Sequence, residues 1–344
     1  MLLLPSQDRA WSTSSTDKLK TVQNGLFASC ALNRRVHSQP AQVLQWIGAP
    51  FRQYLLSDVL APSFPAAQLK LVIFANALQM RPEILNATRA KLALPLPDGS
   101  KRTLLFIWAA GMINGRTGAL DDLGPGQLLG MGLTRGPGSL PLVTQLSSST
   151  SATTNASAGG AVALPPPLQF GEQDYPVSPW FYGTTTSVSS STLLCGPPTA
   201  ATEILGHFLH STSNSTGASS PPAPLPSLLR STGNRCDLVF SGTPGLPASL
   251  YGQLATAAGV HRWVTGKGAI NVTVEAAGGA VFVHCGQGEV PCTGVQLSLP
   301  RVVRAVYVDS LSGPIPVVAA CQNCSSLALE PLAAGTVRVF RLED

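Results

Sequence analysis

The stretch LLFIWAAGMING, residues 104–115, places five apolar side chains ending at Trp108 directly before a loop of small residues. A short, continuous apolar run of this kind is typical of a strand that is buried on both faces. The run LKLVIFANA at 69–77 has the same character, and RPEILNATRAKLAL at 81–94 has helical spacing with a proline near its start. Strand, helix, strand in this order predicts a βαβ unit. The expected fold class is therefore α/β, with a parallel sheet covered by helices on both faces.

Farther along the chain the same alternation continues but is interrupted. We expect a helix at PTAATEILGHFLH (198–210), a strand at CDLVFSG (236–242) and a helix at LPASLYGQLATAAGV (246–260). Two Ser/Thr/Pro-rich segments, near 147–167 and 211–227, contain too few apolar residues to order themselves. They are predicted to be disordered insertions.

The sequence predicts three parts along the chain. Residues 1–40 form a helical or poorly ordered lead-in, and 41–266 form the α/β domain with both insertions. Residues 267–344 carry about seven short apolar runs that alternate with a period of two and are separated by Gly, Pro and Asn. That pattern predicts a small C-terminal all-β sandwich.

Composition excludes several partners. Charged residues make up 11% of the chain, and the net charge of +5 is spread thinly, with Arg34-Arg35 and Lys101-Arg102 as the adjacent basic pairs. Nucleic-acid binding requires clustered basic residues, so we predict none. The sequence contains no apolar run long enough for a membrane span, and MLLLPSQDRAW lacks the features of a signal peptide. Neither a membrane nor a nucleic acid is an expected partner.

Cysteines and glycosylation motifs bear on the compartment. Seven cysteines are too few and too scattered to predict a disulfide framework. Cys285 with Cys292, and Cys321 with Cys324, could each close a short loop. The second pair has the spacing of a zinc knuckle or redox motif, but it lacks a second CxxC and does not begin a helix, so a turn disulfide or free thiols are favoured. Half of the ten asparagines lie in Asn-x-Ser/Thr motifs: Asn86, Asn155, Asn214, Asn271 and Asn323. This enrichment leans toward a secretory protein, against the alternative that abundant Ser and Thr produce the motifs by chance.

Candidate catalytic and metal-binding groups are sparse. Asp121 and Asp122 are neighbours, but they precede a predicted helix and are expected to cap it. Glu203, His207 and His210 share one face of the predicted helix, either as zinc ligands or, as we favour, as a solvated face. An aromatic cluster at 180–182 would stack on a sugar or, more simply, pack in the core. We predict no metal site and no cofactor.

Several segments, taken together, resemble glycoside hydrolase family 42 β-galactosidases. These are YLLSDVLAPSFPAAQLKLVIFANALQMRPE (54–83), LLFIWAAGMINGRTG (104–118) and LVFSGTPGLPASLYGQLATAAGVHRW (238–263), and the resemblance covers roughly residues 45–344. Where the family shows Tyr-Ala-Pro-Gly, this chain has Trp108-Ala109-Ala110-Gly111, and where it shows Tyr-Lys-Leu, it has Leu69-Lys70-Leu71. Contacts that the missing tyrosines make are not expected here.

The resemblance implies a flavodoxin-like trimerisation domain followed by a β-sandwich. In the family, this region follows the catalytic barrel, which carries the acid and the nucleophile and which this chain lacks. No catalytic residue is therefore transferred. The resemblance implies an oligomerisation and accessory portion that self-associates, as a trimer in the family, and meets a carbohydrate substrate only through a barrel. The chain is not expected to be catalytic alone.

Three residues are candidates for a ligand-lining edge. Asp58 follows a predicted strand, Trp108 ends another, and Asn114 lies in the loop after it. In open α/β sheets, ligands bind outside the carboxyl ends of the strands. Ordinary packing or capping is the competing role for each. The alternative functions are a standalone flavodoxin-like hydrolase or amidotransferase-like enzyme, with Cys285 beside His284 or His261, or a carbohydrate-binding module.

Overall fold

The protein is described here by a computed structural model. The described residues are 2–4, 39–75, 77–136, 142–146, 169–172, 181–183, 194–208, 225–243, 245–266, 272–277, 279–286, 291–309 and 320–343. The chain forms two compact units: unit 1 comprises Met1–Pro40 and Arg52–Leu246, and unit 2 comprises Ala41–Phe51 and Pro247–Asp344. Among the described residues, no helix combines the length and apolar character needed to cross a membrane.

Unit 1 contains thirteen of the described strands and two of the α-helices. The strands are β1 (Leu2–Leu4), β2 (Gln53–Leu55), β3 (Leu71–Ala75), β4 (Gln79–Met80), β5 (Arg102–Ile107), β6 (Ile113–Asn114), β7 (Leu133–Arg135), β8 (Leu142–Leu146), β9 (Gln169–Glu172), β10 (Phe181–Gly183), β11 (Glu203–Phe208), β12 (Leu225–Thr232) and β13 (Cys236–Ser241). The helices are α2 (Pro82–Lys91) and α3 (Gly124–Leu129), and two 3₁₀ helices span Leu56–Leu60 and Ala66–Gln68.

Nine of these strands form one mixed sheet, in the order β2-β1-β3-β5-β13-β12-β11-β8-β9. The pairs from β2 to β13 are parallel, and those from β13 to β9 are antiparallel. The expected α/β character is thus found in the parallel half, where α2 connects β3 to β5. The expectation of a wholly parallel sheet with helices on both faces is corrected, because only three residues join β12 to β13 and so short a connection permits only antiparallel pairing.

The parallel half has a continuous apolar core. Every residue of β3 and of β5 is buried, as the uninterrupted apolar runs predict. The two strands pair in register from Leu71 opposite Thr103 to Ala75 opposite Ile107. The rings of Phe74 and Phe106 stack with centroids 4.1 Å apart. Burial of both faces of these strands therefore stabilises unit 1 through the hydrophobic effect.

One charged side chain is buried at the start of β5. Arg102 is 1% exposed, and burial lowers the pKa of its guanidinium. The guanidinium donates hydrogen bonds of 2.5 to 3.3 Å to five carbonyl oxygens, those of Ala66, Leu69, Lys91, Leu92 and Leu94. They lie at two helix ends: Lys91 is the last residue of α2 and Leu92 its C-cap, and Leu69 is the C-cap of the second 3₁₀ helix. Arg102 thus satisfies two helix ends at once.

The helix predicted over 198–210 is wrong. Glu203–Phe208 is strand β11, paired with β12 on one side and with β8 on the other. Its pairing with β12 shifts register around Gly206. Sheet partners on both sides outweigh the local preference for a helix, which is a weak determinant.

Unit 2 contains helix α1 (Gln39–Trp46), of which residues from Ala41 onward belong to this unit, helix α4 (Ala248–Ala257) and six strands. The strands are β14 (Val264–Thr265), β15 (Val272–Ala277), β16 (Ala280–Cys285), β17 (Gln296–Asp309), β18 (Cys321–Ala328) and β19 (Val337–Glu343). All six belong to one antiparallel sheet, ordered β14-β17-β19-β16-β15, with β18 paired to β17. Two runs predicted as separate strands are joined in β17, whose pairing with β18 shifts register between Ser298 and Val303. The described strands thus form a single antiparallel sheet where a sandwich is expected.

Three disulfides link described residues. Cys195 and Cys236 are bonded in unit 1, and Cys285–Cys292 and Cys321–Cys324 are bonded in unit 2. The spacing of the cysteines left the two short pairs open and did not predict the first, which joins residues 41 apart. The expectation that the cysteines make no disulfide framework is therefore wrong.

Two sequence predictions fall largely outside the described residues. Within the 1–40 lead-in, Leu2–Leu4 is strand β1 and only 39–40 is also described. The 147–167 insertion lies wholly outside the described residues, as does the 211–227 insertion up to residue 224. Residues 225–227 are the first part of β12.

Candidate functional site

Three parallel strands of unit 1 end at the same level. Ala75 of β3 is opposite Ile107 of β5, and Ile107 is opposite Ser241 of β13. The segments that follow these three residues therefore emerge together at the carboxyl edge of the sheet. This edge, which we call the carboxyl edge, is where parallel α/β sheets bind ligands.

Trp108 begins the segment that follows β5. Its backbone adopts φ of +61°, a left-handed conformation that is unusual for a bulky residue, and its backbone nitrogen donates a hydrogen bond to the Ser241 carbonyl oxygen at 2.6 Å. The side chain is 1% exposed. Trp108 therefore fills the core beneath the carboxyl edge, and the strained turn at this residue redirects the chain.

Asn114 organises the loop farther along. It lies in β6, which pairs in parallel with β4. Its side-chain Oδ1 accepts hydrogen bonds from the backbone nitrogens of Arg116 (2.9 Å) and Thr117 (3.1 Å). This is an Asx turn, a side-chain replacement for a backbone turn. Asn114 thus sets the loop conformation at the carboxyl edge.

Asp58 lies in the 3₁₀ helix Leu56–Leu60, three residues beyond β2. Its Oδ2 accepts a hydrogen bond of 2.8 Å from the backbone nitrogen of Leu55. A carboxylate in the first turn of a helix satisfies a backbone donor that otherwise has no partner. The side chains of Asp58 and Asn114 are therefore each bonded within a local turn, whereas the backbone of Trp108 is bonded to the neighbouring strand β13.

The segments after β3 and β5 are fastened to each other. Gly111 and Ile113 donate backbone hydrogen bonds to the carbonyls of Ala77 and Leu78, at 2.9 and 2.8 Å. Gly111 has φ of +76°, and a Cβ at Gly115 would lie 2.3 Å from the Met80 carbonyl oxygen. Small residues are thus required where these two loops meet. The loop of LLFIWAAGMING is therefore bonded to the neighbouring loop at the carboxyl edge.

Two polar residues that the sequence pattern did not single out lie at the end of β13: Ser241 is its last residue, and Thr243 follows two residues later. Ser241 and Thr243 are both fully buried. The Ser241 hydroxyl donates to the Thr243 carbonyl oxygen at 3.0 Å and accepts from the Thr243 backbone nitrogen at 3.2 Å. The signal was present in the sequence, as a serine ending the apolar run of CDLVFSG. These two hydrogen bonds stabilise the turn that follows β13 at the carboxyl edge.

The neighbouring aspartates Asp121 and Asp122 make local contacts just before α3. Asp121 accepts a hydrogen bond from the backbone nitrogen of Leu123 (3.0 Å), just before α3 begins at Gly124. Asp122 forms an exposed ion pair with Arg135 at 2.7 Å. The expected capping role is not found: the N-cap residue of α3 is Leu123, and Asp121 forms a side-chain turn just before it.

The zinc alternative loses its geometric basis. Because 203–208 is a strand, Glu203 and His207 lie about 13 Å apart along the chain instead of one helical turn apart. His210 lies outside the described residues. Within the described ranges, no three His, Cys, Asp or Glu side chains are grouped so that they could hold a metal ion.

The nucleophile of the enzyme alternative is unavailable. Cys285 is 0% exposed and bonded to Cys292, so it has no thiolate to attack a substrate. His261 Nε2 instead donates a hydrogen bond to the Ser298 carbonyl oxygen (3.1 Å), and burial lowers the pKa of its imidazole. His284 lies within 3.4 Å of the Thr273 hydroxyl. Cys285 therefore cannot act as a nucleophile beside His261 or His284.

Of the aromatic cluster at 180–182, Trp180 lies outside the described residues. Phe181–Gly183 is strand β10, and Tyr182 there is half-buried. Strand β10 pairs with β7 in a separate two-stranded sheet.

Comparison with solved structures identifies the fold. A β-galactosidase from Bacillus circulans sp. alkalophilus superposes with a TM-score of 0.56 at 12% identity, over 99% of this chain and 41% of that one. A β-galactosidase from the Antarctic haloarchaeon Halorubrum lacusprofundi gives 0.51 at 14% identity, over 99% and 39%. The fold is β-galactosidase-like. No protein-family model matches the sequence. No curated protein matches it in sequence either.

The superpositions cover most of this chain but less than half of each β-galactosidase. A β-galactosidase from Rahnella sp. R3 superposes with a TM-score of 0.50 at 12% identity, over 87% of this chain and 35% of its own. This chain thus spans about 40% of the length of the solved structures it resembles. At these identities, the likeness concerns the fold alone.

Proposed function

We propose that this chain is the non-catalytic, accessory and oligomerisation portion of a β-galactosidase-like glycoside hydrolase, which acts on carbohydrate only together with a catalytic barrel. The observation that supports the proposal is the unequal share of the two chains that superposes. Structures described as β-galactosidases match almost all of this chain, while this chain matches 41% of the first of them. A piece of a larger hydrolase is expected to superpose along its whole length on only part of the complete enzyme.

The chemistry of the carboxyl edge supports an accessory role. The hydrogen bonds of Asp58, Asn114 and Ser241 go to local backbone groups, so these side chains already serve the turns that they stabilise. Trp108 is buried beneath the edge. We propose that Asp58, Trp108 and Asn114 maintain the shape of a wall next to a sugar site and do not react with the sugar.

The parallel strands support a flavodoxin-like assignment for the parallel half of unit 1. Strands β3, β5 and β13 are parallel, neighbouring and fully or almost fully buried, and α2 makes the crossover between the first two. Strand–helix–strand crossovers between parallel neighbours build doubly wound sheets. The antiparallel strands β12, β11, β8 and β9 extend that unit.

The catalytic test uses the purified chain with nitrophenyl galactoside. We expect no turnover above the background hydrolysis, because the paired carboxylates that glycosidases use are assigned to a barrel. Turnover that disappears when one of the chain's own acids is replaced, for example in Asp122→Asn, would contradict the proposal. A parallel assay of a family 42 enzyme controls for substrate and buffer.

The second test concerns the encoded protein. Long-read sequencing of the transcript is expected to show, in frame and upstream of Met1, a segment that encodes a barrel with two candidate catalytic glutamates. An in-frame stop codon immediately upstream would contradict the accessory role. In the longer protein, Asn114→Ala is expected to raise KM by about 3- to 10-fold with little change in kcat, since a wall positions the substrate. The exposed helical substitution Asn86→Ala is the matched control.

The self-association test measures mass in solution by light scattering. We expect three protomers, as the family resemblance implies. A monomer at micromolar concentration would contradict the oligomerisation role and leave the wall role to be judged by the KM measurement.

A further inference from the structure

We propose that the Cys321–Cys324 disulfide is a thiol–disulfide exchange site, which a small dithiol reduces and reoxidises while the Cys195–Cys236 and Cys285–Cys292 disulfides stay intact. This inference is independent of the accessory role proposed above. It rests on three differences between the disulfides: exposure, position in the sheet and length of the closed loop.

The first difference is exposure. The cysteines of the other two pairs are buried, with exposures of 5% and 0% for Cys195 and Cys236 and of 0% and 3% for Cys285 and Cys292. Cys321 and Cys324 are half-buried, and the two residues between them, Gln322 and Asn323, are exposed. Exchange requires a thiolate to approach a sulfur in line with the S–S bond, so access controls its rate.

The second difference is position. Strand β18 pairs with β17 alone among the described strands, so its other side is an edge. Cys285 lies instead in β16, which has β15 on one side and β19 on the other, and Cys236 begins β13, which lies between β5 and β12. The Cys321–Cys324 pair, which packs on one side against the hydrophobic core of unit 2, thus lies on a strand with a single neighbour among the described strands, unlike the other two pairs.

The third difference is the length of chain that each bond closes. The bonded residues are 3 apart in the Cys321–Cys324 pair, 7 apart in the Cys285–Cys292 pair and 41 apart in the Cys195–Cys236 pair. The restriction that a disulfide places on the unfolded chain grows with the length of the loop. Opening the shortest loop therefore costs the folded protein least.

The surrounding ladder makes the exchange reversible. Cys321 is opposite Val306 and Cys324 is opposite Val303 on β17, so backbone pairing holds both cysteines on either side of the turn. Between them, Asn323 adopts φ of +48°, a left-handed conformation that asparagine tolerates. After reduction, the two thiols stay close together on one strand, at a high effective concentration for closing again.

The dithiol supplies all the electrons and protons that reduction of the disulfide needs. One thiolate of the dithiol attacks the sulfur of either cysteine, forms a mixed disulfide and releases the other cysteine as a thiolate, which takes up a proton. The second thiol of the reductant then attacks the reductant's own sulfur in the mixed disulfide, closes to a cyclic disulfide and releases the first cysteine as a thiolate, which takes up the second proton. Two electrons and two protons pass to the protein, and the reverse sequence with the oxidised reductant restores the bond.

The experiment uses the full chain carrying Cys30→Ser, so that the seventh cysteine does not take part. The folded protein is exposed to increasing dithiothreitol, alkylated with iodoacetamide at fixed times and analysed by peptide mass spectrometry. We expect Cys321 and Cys324 to be labelled at least about tenfold faster than the other four cysteines. Equal rates for the three disulfides, or faster labelling of Cys285 and Cys292, would overturn the proposal.

Two controls separate exchange in the folded protein from reduction after unfolding. Labelling of Cys321 and Cys324 that rises with urea in proportion to global unfolding would overturn the proposal, whereas exchange at an exposed site is expected to be almost independent of low urea. Removal of dithiothreitol and addition of its oxidised form are expected to restore the bond. The double variant Cys321→Ser, Cys324→Ser is expected to fold and to lose the fast phase while keeping the slow labelling of the other four cysteines.

Discussion

The parallel strands of unit 1 and the antiparallel sheet of unit 2 exclude water in different ways. All six residues of β5 are buried, and so are all five of β3. In β16, buried and half-buried residues alternate strictly. A strand with both faces covered needs an apolar side chain at almost every position, whereas a strand with one covered face needs one at every second position.

The polar groups differ in the same way. In unit 1, the buried Arg102 has no carboxylate among its bonded partners and is satisfied by five backbone carbonyls. In unit 2, two short disulfides lie in or beside the sheet strands. Continuous burial thus brings polar groups into the core, where each must be bonded, while the one-sided sheet leaves its polar side chains toward water.

The largest expected effect tests two-sided against one-sided burial. Leu105→Ala and Phe106→Ala, adjacent in β5, are each expected to lower the free energy of unfolding by about 2 to 5 kcal/mol, because both faces are packed. In β16, Val283→Ala is expected to cost about 2 kcal/mol and Phe282→Ala about 1 kcal/mol. Urea denaturation of all four variants measures the difference. Equal costs for Val283 and Phe282 would show that the unit 2 sheet is covered on both faces.

The next effect concerns the buried arginine. Arg102→Met keeps an apolar stem but leaves five carbonyls without their donor, and we expect a loss of about 3 to 4 kcal/mol in the free energy of unfolding. The exposed variant Arg116→Met is the matched control, expected within about 0.5 kcal/mol of the parent chain. A loss below 1 kcal/mol for Arg102→Met would mean that water replaces the guanidinium at this site.

A third effect compares the disulfides across the two units. The double variant Cys195→Ser, Cys236→Ser is expected to lose up to about 4 kcal/mol, and Cys285→Ser, Cys292→Ser up to about 2.5 kcal/mol, because the longer loop restricts the unfolded chain more. Thermal unfolding under oxidising conditions measures both. The reverse order would indicate that side-chain packing around the sulfurs in unit 2 outweighs loop entropy.

The smallest effect is the pH dependence of unit 2. Burial lowers the pKa of His261 below its usual 6.5, although its hydrogen bond to Ser298 opposes the shift. The unfolded chain therefore binds more protons below pH 6.5, so stability is complete above that pH and falls as the pH is lowered toward the folded-state pKa. We expect Tm to decrease between pH 7 and pH 5, and less so in His261→Gln. An identical decrease in that variant would assign the pH dependence to other groups.

Local pattern predicted much of the fold because burial leaves a direct trace in the sequence. The buried strands β3, β5 and β13 correspond to continuous apolar runs, and α2 and α4 correspond to helical spacing. The candidate residues could be named as loop positions beside strands, but their roles could not. Asp58 and Asn114 bond backbone groups two or three residues away, and such contacts depend on turn geometry that residue type alone does not specify.

The sequence by itself determined which segments are covered on both faces, which alternate, and where short polar turns interrupt them. Only the tertiary structure decided that Glu203–Phe208 is a strand, that β12 pairs antiparallel with β13, and that Cys195 bonds Cys236. It also decided that Trp108 turns inward with a positive φ. The physical reason is range: the period of apolar residues records the environment of each segment, whereas pairing and bonding partners come from distant parts of the chain.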